Sequence, residues 1–155
     1  MAATAPINDD RISRSRTFVP AATSEGTYLL QGALERYVGK VADALGVPRD
    51  GISFEVTDTA TAYIALGCRA AAHPDRDVML VWSATQGWAV SIETDPSEPL
   101  IVLARSTGDI VQAPEAVARL VAESMGNVGT REAPVAGRPL LGWSDLAECM
   151  ERYAP

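Results

Sequence analysis

The sequence is poor in the residues that most often build metal centres and redox sites. It contains one histidine and two cysteines in 155 residues. Cys68 and Cys149 lie far apart and neither belongs to a Cys-x-x-Cys pair, so their spacing supports neither a zinc site nor a redox motif. The carboxylates of residues 75 and 77, and of residues 93, 95 and 98, lack the ligand count and glycine placement of a calcium loop. We therefore expect no metal and no cofactor.

The motifs of several large enzyme classes are also missing. No G-x-x-x-x-G-K segment is present, and no G-x-G-x-x-G segment stands where a strand meets a helix. The G-x-S-x-G turn that exposes a nucleophilic serine is absent too. These absences argue against the common nucleotide-dependent enzymes and hydrolases.

Long apolar runs and an excess of basic residues are absent as well. No stretch has the length needed to span a bilayer, and the first ten residues lack the charged start and apolar run of a secretory signal. The net charge is −7, whereas nucleic-acid binding depends on clustered lysine and arginine. We expect a cytoplasmic protein with neither a membrane nor a nucleic acid as its partner.

Two amphipathic patterns are present in the first half of the chain. Apolar residues recur every three or four positions across residues 28–45, which predicts a helix capped by Ser24 or Thr27 and ended by Gly46. The following segments alternate between apolar and polar residues and predict two strands, about residues 52–56 and 59–66.

A tryptophan hairpin is the clearest strand signal. In residues 77–93 the register that places Trp82 opposite Trp88 also aligns two further apolar pairs on the same side. The apolar run of residues 100–104 predicts another strand, covered on both faces. Residues 114–126 and 144–153 then show helical apolar stripes.

These elements predict an α+β fold: a helix, a four- to five-stranded mainly antiparallel sheet, a helix, and a short C-terminal helix. Composition predicts a flexible N-terminal arm over residues 1–26, an α+β domain over 27–126, and a linker with the C-terminal helix over 127–155.

The predicted sheet leaves one apolar face without a helix. If both flanking helices cover the tryptophan side, the other side carries apolar residues and should contact another protein or a second copy of the chain. The residues assigned to that contact are Met79, Val81, Ile101 and Leu103. Trp143 either staples the C-terminal helix to its own domain or anchors a partner, and that helix docks either in cis or on the partner.

Two weaker sites compete with this interpretation. His73, Asp75 and Cys68 could form a proton-transfer or Cys/His pair, although no third orienting group is recognisable, and a polar loop explains the same residues. Tyr63, Trp82 and Trp88 could line a small-molecule pocket, although aromatic residues in strands are more often core. The alternative to a non-catalytic interaction module (adaptor, chaperone-like or regulatory) is thus a ligand-binding or enzymatic module between the His73 loop and the hairpin.

Several segments resemble a family of small uncharacterised proteins from high-GC Gram-positive bacteria. The resemblance covers about residues 30–126 and is carried by LERYVGKVADALGVP (34–48), FEVTDTATAY (54–63), HPDRD (73–77), LVW (80–82), GWA (87–89) and PEAVAR (114–119). It implies a scaffold class and a bacterial origin, and no activity. The order of elements is also similar to that of small dimeric chaperone-like domains.

Overall fold

A computed structural model describes residues 24–71, 73–126 and 141–154. Within them lie three α-helices and a five-stranded antiparallel sheet, which confirms the α+β prediction. The elements are α1 (Ser24–Leu45), β1 (Ile52–Val56), β2 (Ala60–Arg69), β3 (Asp77–Ser83), β4 (Gly87–Ile92), β5 (Ile101–Arg105), α2 (Pro114–Gly126) and α3 (Trp143–Glu151). Most of the predicted arm (residues 1–23) and linker (residues 127–140) lies outside the described residues.

Helix α1 ends as its sequence predicts. Gly46 has a φ of 72°, its N–H donates to Asp43 O, and the N–H of Val47 donates to Ala42 O. This pair of bonds is the Schellman arrangement, which needs a left-handed residue that glycine supplies without strain. The helix begins at Ser24, so Thr27 lies inside its first turn instead of capping it.

The sheet is a meander in which every strand pairs with its neighbours in sequence, in the order β1-β2-β3-β4-β5. The hairpin register is confirmed, since Trp82 pairs with Trp88 and Leu80 with Val90. Strand β2 runs to Arg69 and not to residue 66 as predicted, because an irregularity near Gly67, with φ 68°, lets the chain pair again with β3 at Arg69.

All three helices lie over the same side of the sheet. Helix α1 packs against α2, α3 and β1, while α2 contacts β4 and β5. The largest fully buried side chains of this core are Trp82, Trp88, Tyr37, Leu30, Leu34, Ile64, Leu80, Ile92, Leu146 and Met150. None of the described helices is long and apolar enough to cross a membrane.

A buried polar network fixes α1 on the tryptophan hairpin. The Tyr37 hydroxyl donates to the carbonyl oxygen of Gln112 (2.5 Å) and accepts from Trp88 Nε1 (2.9 Å) and the backbone N–H of Gln112 (3.0 Å). One donor and two acceptor positions are all that a hydroxyl offers, so this group is saturated. Burial raises the pKa of Tyr37 to about 12.

Candidate interaction surface

The side of the sheet turned away from the helices, here called the reverse face, carries alternate residues of all five strands. One row crosses it from edge to edge: Ser53, Tyr63, Val81, Ala89 and Arg105 are successive cross-strand partners. Val81 lies on the central strand and is half-buried. The reverse face therefore has an apolar middle and polar ends.

A groove of about 600 Å³ runs along this row. It is lined by Ser53, Phe54, Glu55, Thr61, Ala62, Tyr63, Val81, Trp82, Ser83, Gln86, Gly87, Ala89, Leu100 and Arg105. Leu100 stands just before β5 and keeps 51% of its surface exposed. The predicted strand of residues 100–104 is thus shifted by one residue, and its first apolar side chain faces the groove instead of the core.

Two orphaned polar atoms distinguish the reverse face. Among the described residues, Ser91 Oγ and Arg105 Nε are the buried side-chain atoms that lack a hydrogen-bond partner. Both residues belong to the reverse face, Ser91 opposite Met79 and Arg105 opposite Ala89. Native proteins leave few such atoms unsatisfied, because each costs about 1–3 kcal/mol.

Arg105 also lacks a counter-ion within the described part of the chain. Its Nη1 donates to Gln86 Oε1 at 3.0 Å, but none of the described carboxylates forms an ion pair with it. By contrast, the partly buried Arg76 makes a two-point contact with Glu98, at 2.6 and 3.1 Å. The hydrogen-bonded Arg76 guanidinium lowers the pKa of Glu98 to about 2.

A tyrosine–glutamate bond crosses the reverse face over β3. The hydroxyl of Tyr63, on β2, donates to Glu93 Oε2, just beyond β4, at 2.6 Å. This bond raises the pKa of Tyr63 to about 12, since it holds the proton on the phenol beside a carboxylate. Glu93 is therefore already occupied, whereas Glu55 on β1 has no ion-pair or hydrogen-bond partner among the described residues.

The residues that the sequence assigned to partner contact do not all lie on the reverse face. Met79 and Val81 lie on the reverse face as predicted. The placement of Ile101 and Leu103 there was wrong: Ile101 pairs with Ile92 and packs against the core, and Leu103 belongs to the core. A register shift between Val90 and Ser91 inserts one extra residue in β5, which breaks the expected alternation.

Trp143 lies in the core, with 5% of its surface exposed. It opens α3, whose Leu146 and Met150 are fully buried, and α3 packs against α1. The C-terminal helix thus docks in cis on the helical layer, and none of the described helices covers the reverse face. This placement agrees with the interpretation of Trp143 as a staple for its own helix.

The aromatic residues of the proposed ligand pocket lie on opposite sides of the sheet. Trp82 and Trp88 are buried on the helix side, where Trp82 Nε1 donates to Ile110 O at 2.9 Å. Tyr63 lies on the reverse face. The sheet itself separates the Tyr63 ring from the two indoles, so the three aromatic rings do not line one pocket, although Trp82 also borders the groove.

The residues nominated for catalysis lie at the other end of the sheet. His73 and Asp75 belong to the loop between β2 and β3. The stretch of β3 from its first residue to Trp82 separates this loop from the tryptophan pair by about 20 Å. Burial raises the pKa of the nearby Cys68 thiol, which disfavours a reactive thiolate. The loop residues and the tryptophan pair, which the alternative interpretation combined in one site, therefore do not lie together. Among the described residues, no three His, Cys, Asp or Glu side chains cluster as metal ligands would.

One family model matches this chain, over residues 37–123. That family is described as a family of unknown function, DUF6292, and the match covers more than half of the chain. The chain belongs to the DUF6292 family. Neither the curated proteins nor the solved structures include a significant match.

The DUF6292 segment contains the whole sheet and both ends of the Tyr37–Gln112 network. It ends before α3, so Trp143 lies outside it. Two groove residues went unnoticed in the sequence. Glu55 could have been found from its alternation with Phe54, which places it on the reverse face, but the missing counter-ion of Arg105 has no signal in sequence.

Proposed function

We propose that this DUF6292 protein is a non-catalytic interaction module, an adaptor, chaperone-like or regulatory protein, that binds another protein chain through its reverse face. The observation that carries the proposal is the apolar band on the side of the sheet turned away from the described helices, where Met79 and Val81 stay half-buried and Leu100 keeps 51% of its surface exposed. A bound protein surface would cover Val81 and Leu100.

The shape of the surface supports the same function. Antiparallel sheets with one open side usually turn polar residues to solvent, whereas here Met79, Val81 and Ala89 form an apolar band on that side. The apolar stripe of α3 is already used inside the domain, so the proposal rests on the sheet alone. A high-GC Gram-positive origin and a cytoplasmic location belong to the same proposal.

A matched pair of substitutions tests it. Val81→Glu places a charge in the middle of the reverse face, and Ala122→Glu places the same charge on the exposed side of α2. A fluorescently tagged chain should elute from a size-exclusion column above its own mass in clarified lysate of the source cells. Val81→Glu should return it to its own mass and Ala122→Glu should not. Equal elution of the two folded variants would contradict the proposal.

The groove favours a second candidate, small-molecule binding. Its volume of about 600 Å³ lies within the range of ligand pockets, and the Tyr63 hydroxyl and Arg105 guanidinium would orient a polar ligand against Val81. A thermal-shift screen with metabolites checks this candidate, because a ligand that binds only the folded state raises the melting temperature. The stabilisation should disappear in Arg105→Met.

A further inference from the structure

We infer that the chain bound on the reverse face is a second copy of this protein, packed sheet against sheet about a two-fold axis that runs parallel to the strands. In this dimer Glu55 of each copy meets Arg105 of the other. The inference rests on the proposed function and specifies its partner. Its basis is the distribution of charge along the groove.

The two charges of the groove that lack a counter-ion among the described residues have opposite signs and lie at opposite edges of the sheet. Glu55 is exposed on β1 and Arg105 is half-buried on β5. With four strand spacings between them, about 19 Å, they cannot pair within one chain. The neighbouring carboxylates are occupied, Glu93 by Tyr63 and Glu98 by Arg76.

Two-fold symmetry decides which partner surface would satisfy both charges. An axis parallel to the strands reverses their order and keeps positions along them, so β1 of one copy lies over β5 of the other. Glu55, two residues along β1 from Ser53, then stands about 7 Å along the strand from Arg105 of the other copy, within reach of the arginine side chain, and the contact forms at both edges. An axis perpendicular to the strands would place β5 of one copy over β5 of the other and bring the two Arg105 side chains together. Only the axis parallel to the strands brings opposite charges together, and its symmetry gives two Glu55–Arg105 pairs in each dimer.

The same axis passes through the apolar middle of the face. Val81 lies on β3, the third of five strands, so its side chain would meet its symmetry mate, with Ala89 beside it. Sheets that pack in this way cross at about 30° and stand about 10 Å apart. The reverse face measures roughly 20 Å by 20 Å, which is smaller than a standard interface and predicts a weak, reversible dimer.

Charge reversal tests the geometry by sedimentation of the purified full chain from about 1 µM to about 1 mM, the range in which a weak dimer forms. Wild-type protein should pass from one chain mass to two. Arg105→Glu and Glu55→Arg each create two like-charge contacts and should raise the dissociation constant at least about tenfold. An equimolar mixture of the two variants should dimerise again, because the Glu55→Arg chain then offers arginines to the glutamates of the other. The double variant should dimerise as well.

Arg119→Glu is the matched control, since Arg119 is exposed on α2 and its reversal changes the net charge equally. It should leave the dissociation constant unchanged, and circular dichroism should show that every variant is folded. A wild-type chain that stays monomeric, or a mixture that fails to dimerise, overturns the inference. Either result would leave the proposed function standing, because that proposal is tested separately by the elution of Val81→Glu in lysate.

Discussion

Replacing Tyr37 with Phe should destabilise the fold by about 2–4 kcal/mol, although the ring and its packing are retained. The hydroxyl of Tyr37 makes three hydrogen bonds, to Trp88 Nε1 and to the backbone N–H and carbonyl of Gln112. Its removal leaves the indole N–H of Trp88 buried without an acceptor, at a cost of about 1–3 kcal/mol. The groups of Gln112 are half-buried and recover part of their loss from water, which keeps the total within the stated range.

The assay is urea unfolding followed by tryptophan fluorescence, with Tyr63→Phe as the matched control. Tyr63 also donates a hydrogen bond, but its partner Glu93 is exposed and can be hydrated, so this variant should lose less than about 1 kcal/mol. The slope of the unfolding free energy against urea should not change in either variant. A loss for Tyr37→Phe of no more than that for Tyr63→Phe would refute the reasoning.

Three further predictions follow from the titrating groups. Because burial raises the pKa of Tyr37 to about 12, its contribution to stability is complete below pH 10 and falls as the pH rises towards 12; alkaline unfolding of Tyr37→Phe should lack that part of the decline. Carbon-13 NMR should show the Glu98 carboxyl titrating near pH 2, and Arg76→Gln should return its pKa towards 4.5. In a Cys149→Ser chain, Cys68 should react with iodoacetamide more slowly than glutathione does at pH 8, because burial raises the pKa of its thiol.

The elements that could be predicted are those set by local pattern. The alternation around Trp82 and Trp88 allows one register with apolar residues on a common side, and Gly46 ends α1 where its backbone needs a positive φ. The extra residue in β5 could not be predicted, because a continuous apolar run shows the same pattern whether or not the strand contains an additional residue. For this reason Leu103 was assigned to the wrong face.

The candidate site was predictable only in part. Val81 and Met79 follow from the hairpin pattern, but the docking of α3 on α1 depends on tertiary packing that leaves no periodic signal. Arg105 cannot pair with Glu55 of the same chain because β1 and β5 lie at opposite edges of the sheet. Properties that arise from distances between strands need the fold before they can be seen.

Site-specific photo-cross-linking in the source cells tests most directly the central claim that the reverse face binds a protein chain. A photoreactive amino acid placed at Val81 lies in the middle of that face, and one placed at Ala122 lies on the exposed side of α2. Irradiation should give a discrete protein adduct from the Val81 position and none from the Ala122 position. No adduct at Val81, or equal adducts at both positions, would contradict the claim.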